Sequence, residues 1–180
     1  ETDSGGTGPH EILRLPGTYT LVVANGGIET HPDTGRTKLN LPTMRPNLTY
    51  LGPDGRVLEV VALPQELRLN SIRHLAARPD GLVAAAMQWQ GAAAEAPPLL
   101  MLHRQGQAPR LASAPFAAQL AMQGYAGSVA FSGDGRHVAI TSPRGAQAHL
   151  FDAETGAFAA ARAAPDICGV AAGAAGLLAT

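Results

Sequence analysis

Two histidines stand at matching places in a sequence that repeats itself: His10 and His74 each lie seven residues before a glycine, Gly17 and Gly81. Ser128 and Gly169 hold the same offset from Gly135 and Gly176. Glu11 and Arg73 adjoin the histidines, so imidazoles, a carboxylate and a guanidinium meet wherever the repeats converge. Neutral imidazoles and carboxylates from different segments are the usual ligands of divalent metals. His10, His74 and His31 are the candidate metal set. The competing reading has the histidines bonded to backbone across neighbouring repeats, with no ligand at all.

The densest polar stretch runs from Asn25 to Asn40 and on through Met44-Arg45-Pro46-Asn47. Unstructured loops beyond about 12–15 residues are usually functional or disordered, and this one mixes both charge signs with Gly and Pro turns. It is a candidate cap, with Glu29, His31 and Arg45 as ligand-facing residues. A loop packed on its neighbour with solvated charges is the alternative. Gln88-Trp89-Gln90 and Ser142-Pro143-Arg144 occupy the corresponding place in later repeats. Trp89, the only tryptophan, stacks a ligand if exposed and fills space between repeats if buried; burial is the favoured reading. Arg144 is placed either to clamp an anion or in solvent.

Other chemistries lack their residues. Gly5-Gly6-Thr7-Gly8 is followed by no Lys-Ser or Lys-Thr, so it is not a phosphate loop, and neither a Gly-x-Ser-x-Gly elbow nor a His-Glu-x-x-His pair occurs. Asn47-Leu48-Thr49 matches the glycosylation acceptor pattern, which is short and often matched by chance. Cys168 is the only cysteine, which excludes an intrachain disulfide and a cysteine-based zinc knuckle. A buried, inert thiol is expected there. No catalytic constellation emerges.

The elements that must position these residues are written in glycine and proline. Gly55, Gly106 and Gly156 are each followed nine residues later by Pro64, Pro115 and Pro165. The segments between predict strands that end where proline cannot donate to a ladder. Short apolar stretches precede and follow Gly17, Gly81, Gly135 and Gly176, and a further strand precedes each member of the first series. Each unit therefore reads as strand A, Gly turn, strand B, variable loop, strand C, Gly turn, strand D. Units of about 40–50 residues with this order are typical of propeller blades. The expectation is an all-β fold: a single partial β-propeller domain over residues 1–180, with three complete four-stranded antiparallel blades at 8–64, 71–115 and 126–165. A fourth begins at 167–180. One short helix is expected near Phe116–Gln123, between strands D and A.

Composition excludes some partners. With a net charge of −1, and Lys38 the only lysine among 13 basic residues, no clustered basic surface for nucleic acid or anionic membrane is present. No apolar run reaches the roughly 18 residues needed for a membrane span.

The run Leu21 to Leu41, with its Glu29-Thr30-His31-Pro32-Asp33 core, resembles a bacterial family of exported proteins known only as a domain of unknown function. Gly8-Pro9-His10-Glu11, Ser71-Ile72-Arg73-His74-Leu75, Gln88-Trp89-Gln90-Gly91, Gly127 to Phe131 and Thr141 to Gly145 share the resemblance, which spans nearly the whole chain. It implies a YVTN-like, WD40-like propeller of about twice this length, expected to have seven blades, of which this chain resembles the C-terminal half. It also implies a twin-arginine signal and a periplasmic address. Members are often encoded beside imelysin-like and di-haem peroxidase-like proteins, which implies periplasmic iron-uptake partners. The family's shared polar positions fall on His10, Glu11, Asn25, Glu29, His31, Arg45, Arg73, His74, Gln88 and Arg144.

The expected function is a non-catalytic periplasmic propeller binding a ligand or partner at its loop-rich rim, in the setting of iron acquisition. The alternatives are a metal-dependent enzyme with a histidine-lined channel mouth, a metal ion being its cofactor, and an interaction scaffold with an empty channel.

Overall fold

The computed structural model describes residues 2–31, 33, 37–174 and 176–180. Pro32, Thr34, Gly35 and Arg36 of the long polar loop lie outside the described residues.

The chain forms three four-stranded antiparallel sheets and one two-stranded sheet. The first blade contains β1 (Pro9–Arg14), β2 (Leu21–Asn25), β3 (Asn47–Leu51) and β4 (Val57–Ala62). The second contains β5 (Asn70–Ala77), β6 (Val83–Trp89), β7 (Leu100–His103) and β8 (Arg110–Ala112). The third holds β9 (Ser128–Phe131), β10 (His137–Ser142), β11 (Gln147–Asp152) and β12 (Phe158–Ala163). A hairpin of β13 (Val170–Ala172) and β14 (Leu177–Ala179) begins the next unit. Strands are hydrogen-bonded in chain order within every sheet, as the glycine spacing predicts.

Burial follows from the period of two. Along β6, Val83, Ala85 and Met87 face the first blade and pack with Val22, Ala24, Leu48 and Tyr50. Ala84 and Ala86 face the third blade and pack with Val129, Phe131, Val138, Ile140 and Phe151. A strand buried on both faces has no place for polar alternation, and its alanines let neighbouring sheets approach closely. The β4 strand is an outer edge, and there Val57, Leu58 and Val60 are exposed. The innermost strands β1, β5, β9 and β13 adjoin one another in order and line the channel.

Two boundaries differ from expectation. The fourth strand of the second blade spans only Arg110–Ala112, because Pro109 removes a ladder donor just before it. The helix between the second and third blades, α1 (Phe116–Ala121), is shorter than its expected span and passes into the left-handed residues Gln123 and Gly124. Cys168 is exposed rather than buried. Among the described residues no helix is long and apolar enough to cross a membrane.

Candidate functional site

The A–B turns carry a one-residue offset that decides which side chains meet. In the first blade the turn closes from Thr18 N–H to the Leu15 carbonyl, and Gly17 is its third residue. In the second and third blades the turns close from Gly81 to Arg78 and from Gly135 to Ser132, so the glycine is the fourth residue. Counting back along strand A therefore matches His10 with Arg73 and Gly127, and Glu11 with His74 and Ser128. The equivalence of His10 with His74 expected from glycine spacing is corrected by this register.

The pairing confirms the match. A bulge falls between Pro9 and Glu11 in β1, and another between Ile72 and His74 in β5. His10 and Arg73 are thus the extra residues, while Glu11 pairs with Ala24 as His74 pairs with Ala86. Bulges re-aim a side chain out of the regular ladder. Here they turn His10 and Arg73 toward the channel end opposite the A–B turns, where the B–C loops lie.

The two histidines nevertheless meet. Their rings lie edge to face, 4.9 Å between centroids. His10 Nδ1 is 3.0 Å from the Arg73 carbonyl, which can only accept, so the proton sits on Nδ1. His74 Nδ1 lies 3.1 Å from Glu11 Oε2 and donates to it as a carboxylate. Both contacts cross the seam between the first two blades. Burial pulls the His10 imidazole below its ordinary value, reinforced by the charges of Arg73 and His74.

Around this pair is a cleft of about 590 Å³ lined by His10, Arg73, His74, Gln88, Tyr125 and Gly127, and roofed by Ile28, Thr30 and Lys38 of the first B–C loop. The roof is held by its own bonds: Leu39 N–H to the Glu29 carbonyl, and Asn40 Nδ2 to the Gly27 carbonyl. Arg73 donates Nε to Ser71 Oγ at 2.8 Å, and Ser71 donates in turn to the Gly26 carbonyl. Burial lowers the Arg73 guanidinium, and Tyr125 partly offsets this; the group remains a cation at neutral pH. Gln88 Nε2 reaches the Ala126 carbonyl at 3.3 Å. Arg144 lies over the Tyr125 ring, its guanidinium carbon 4.3 Å from the ring centroid.

Other expected rim residues lie elsewhere. Arg45 lines a separate depression on the outer side of the first blade, with Val60, Ala62 and Arg68. Asn25 is fully buried and donates to Ser4, Asn47 and Thr49, so it ties the first blade to the segment preceding it. Trp89 packs half-buried on the core between the second and third blades, its indole N–H 2.7 Å from Glu95 Oε2. Glu29 is exposed and is not among the cleft-lining residues. His31 pairs with Asp33 at 3.4 Å within its own loop instead of joining His10 and His74. Among the described residues no three His, Cys, Asp or Glu side chains are grouped to hold a metal.

Tyr125 and Lys38 belong to the cleft and were missed. Lys38 carried a signal, as the only lysine. Tyr125 carried none, because it sits in a D–A connection whose path depends on α1.

Solved structures with the same architecture include Kuenenia stuttgartiensis hydrazine synthase, at TM-score 0.62 and 12% identity over 96% of this chain and 58% of that one. The Myceliophteria thermophila Cps50 (Swd1) β-propeller domain aligns at TM-score 0.58 and 9% identity, over 92% of this chain and 45% of that one. The chain thus spans roughly half the length of the propellers it matches, and identities this low speak for the fold alone. No curated protein matches the chain. The blades, their order and a family model matching residues 1–180 agree, and the chain belongs to the family described as "Protein of unknown function (DUF1513)".

Proposed function

We propose that this protein is a non-catalytic β-propeller that binds a ligand or protein partner in the cleft at the loop-rich end of its channel. One observation carries the reading. The polar side chains of the cleft retain hydrogen-bonding capacity directed into about 590 Å³ of space, a volume suited to small-molecule sites. The Arg73 guanidinium uses Nε within the protein, and both terminal nitrogens have no partner among the described residues. Ser71 bridges Arg73 and Gly26, and Ser128 Oγ accepts from Val170 N–H at 3.3 Å.

A periplasmic address and a role in iron acquisition rest on the family resemblance described above. They are tested by locating the full-length protein in cell fractions and by growth of a deletion strain under iron limitation. Normal growth under iron starvation removes the iron setting and leaves the cleft.

The test of the cleft itself is a chemically mixed fragment set followed by amide and side-chain NMR. Hits are expected to perturb His10, Arg73, His74 and Tyr125 while leaving Arg45 and Trp89 unmoved. Hits that map elsewhere, or none at all, overturn the reading.

A metal-dependent site is the second reading, and one observation favours it. With Nδ1 bonded to a carbonyl in His10 and to a carboxylate in His74, Nε2 is left as the candidate ligand atom of each ring, the arrangement that outer partners impose on metal-ligating histidines. Against it stand the lack of a third ligand among the described residues and the Arg73 cation beside the pair.

A further inference from the structure

We infer that the ligand of this cleft is a small organic anion, with a carboxylate or phosphate head on the Arg73 guanidinium and an apolar body between Ile28 and Tyr125. The inference rests on the cleft being the binding site and adds the chemical class of what it takes.

Charge balance carries the argument. The described residues lining the cleft include Lys38, Arg73, His10 and His74 and no aspartate or glutamate. Glu11, whose carboxylate accepts from His74 Nδ1 at 3.1 Å, lies outside this lining. Lys38 is exposed and has no ion pair among the described residues. A guanidinium and an ammonium sharing a partly enclosed space repel one another unless an anion lies between them. Arg73 offers the planar fork that matches a carboxylate or phosphate through two parallel hydrogen bonds.

The opposite end of the channel shows the contrast. There the cavity of about 610 Å³ has Arg78 among its lining, and that cation is already neutralised by Asp80 and Glu154. One end of the channel has its charge satisfied within the protein; the other does not.

The remaining cleft chemistry selects for a body as well as a head. Tyr125 and Ile28 supply flat and aliphatic apolar surface, and Arg144 lies over one face of the Tyr125 ring. Gly127 lets the chain pass close beside the Tyr125 ring: a Cβ there would lie 3.1 Å from Pro143 Cδ and 3.3 Å from Tyr125 Cε1.

The experiment is a titration of the full chain with benzoate, phenyl phosphate, inorganic phosphate and the neutral isostere benzamide, read by NMR and calorimetry at fixed ionic strength. Benzoate or phenyl phosphate is expected to bind saturably at the His10, His74 and Tyr125 signals, at least tenfold more tightly than benzamide. Stronger binding of one aromatic anion than the other identifies the head group. Arg73→Gln is expected to lose about tenfold, and Lys38→Ala, at an exposed position that the fold does not need, several-fold. Benzamide binding at the same signals as tightly as benzoate overturns the anion and leaves the cleft reading intact. Aromatic anions that bind no better in the wild type than in Lys38→Ala and Arg73→Gln also overturn it. Silence of all four probes at the cleft overturns the anion and leaves the mixed fragment set to decide the cleft reading.

Discussion

The Tyr50 hydroxyl lies 2.7 Å from His103 Nδ1, joining the third strands of the first and second blades across their seam. His103 Nε2 lies 2.8 Å from the Gln107 carbonyl, which can only accept, so Nε2 carries the ring proton and Tyr50 donates to Nδ1. Burial pushes the Tyr50 phenol above its ordinary value, helped by Glu59, which keeps it a donor. Tyr50→Phe keeps the packing and orphans the ring nitrogen. The expected cost is about 1–3 kcal/mol, a fall of several degrees in the thermal midpoint of a chain this size. An unchanged midpoint means the bond contributes nothing net.

His149 predicts a loss of stability in acid. It is fully buried beside Phe151 and Phe158, and neither ring nitrogen has a hydrogen-bond partner among the described residues. Burial lowers its pKa from 6.5 to about 4. In the unfolded chain the ring takes a proton as the pH falls below 6.5, whereas the folded ring stays neutral until about 4. Stability is therefore full above that upper value and erodes down to the lower one, by about 3 kcal/mol in all. Urea midpoints measured across this range should fall less in His149→Leu than in wild type. Parallel losses in the two proteins assign the acid sensitivity to other groups.

His10 should respond to its neighbour's charge. Its depressed pKa has burial as the first cause and Arg73 as the second. Arg73→Gln is expected to raise it toward the ordinary imidazole value, read from the pH dependence of the ring proton resonance. No movement would leave burial and the charge of His74 as the causes.

At the other end of the channel, Arg78 links three elements. It donates to Asp80, to Glu154 and to the Gly135 carbonyl of the third blade. Arg104 also reaches Asp80 at 2.7 Å. These partners hold the Asp80 carboxyl well below the usual range, Arg78 first and Arg104 second. Arg78→Ala should cost about 1–3 kcal/mol, because bonds to charged groups exceed neutral ones. Asp80→Asn should cost less than about 1 kcal/mol, since the carboxylate is partly exposed and screened. A depressed carboxyl stabilises above its unfolded pKa and loses that contribution as pH falls. The Asp80→Asn deficit should accordingly shrink between pH about 5 and about 2, as denaturation midpoints would show.

Much of the architecture was legible because glycine and proline act locally. A positive φ at Gly81 or Gly135, or a missing donor at Pro109, needs no knowledge of the distant chain. Strand order followed from the same punctuation, since tight turns leave antiparallel neighbours as the only pairing. The site was less legible. Glycine spacing matched His10 to His74, but a glycine can serve as third or fourth residue of a turn. Only the closing hydrogen bonds at Leu15 and Arg78 show which applies.

By itself, then, the sequence determined that this is an array of four-stranded antiparallel units with its polar residues concentrated at strand ends and B–C loops. The tertiary structure decided which of them converge. It brought His10, Arg73, His74 and Gln88 together with Lys38 and Tyr125, and left Arg45 on the outer side of the first blade. The reason is physical. Backbone conformation at a turn is set within a few residues, whereas the direction of a side chain at a channel mouth depends on bulges and on the packing of one blade against the next.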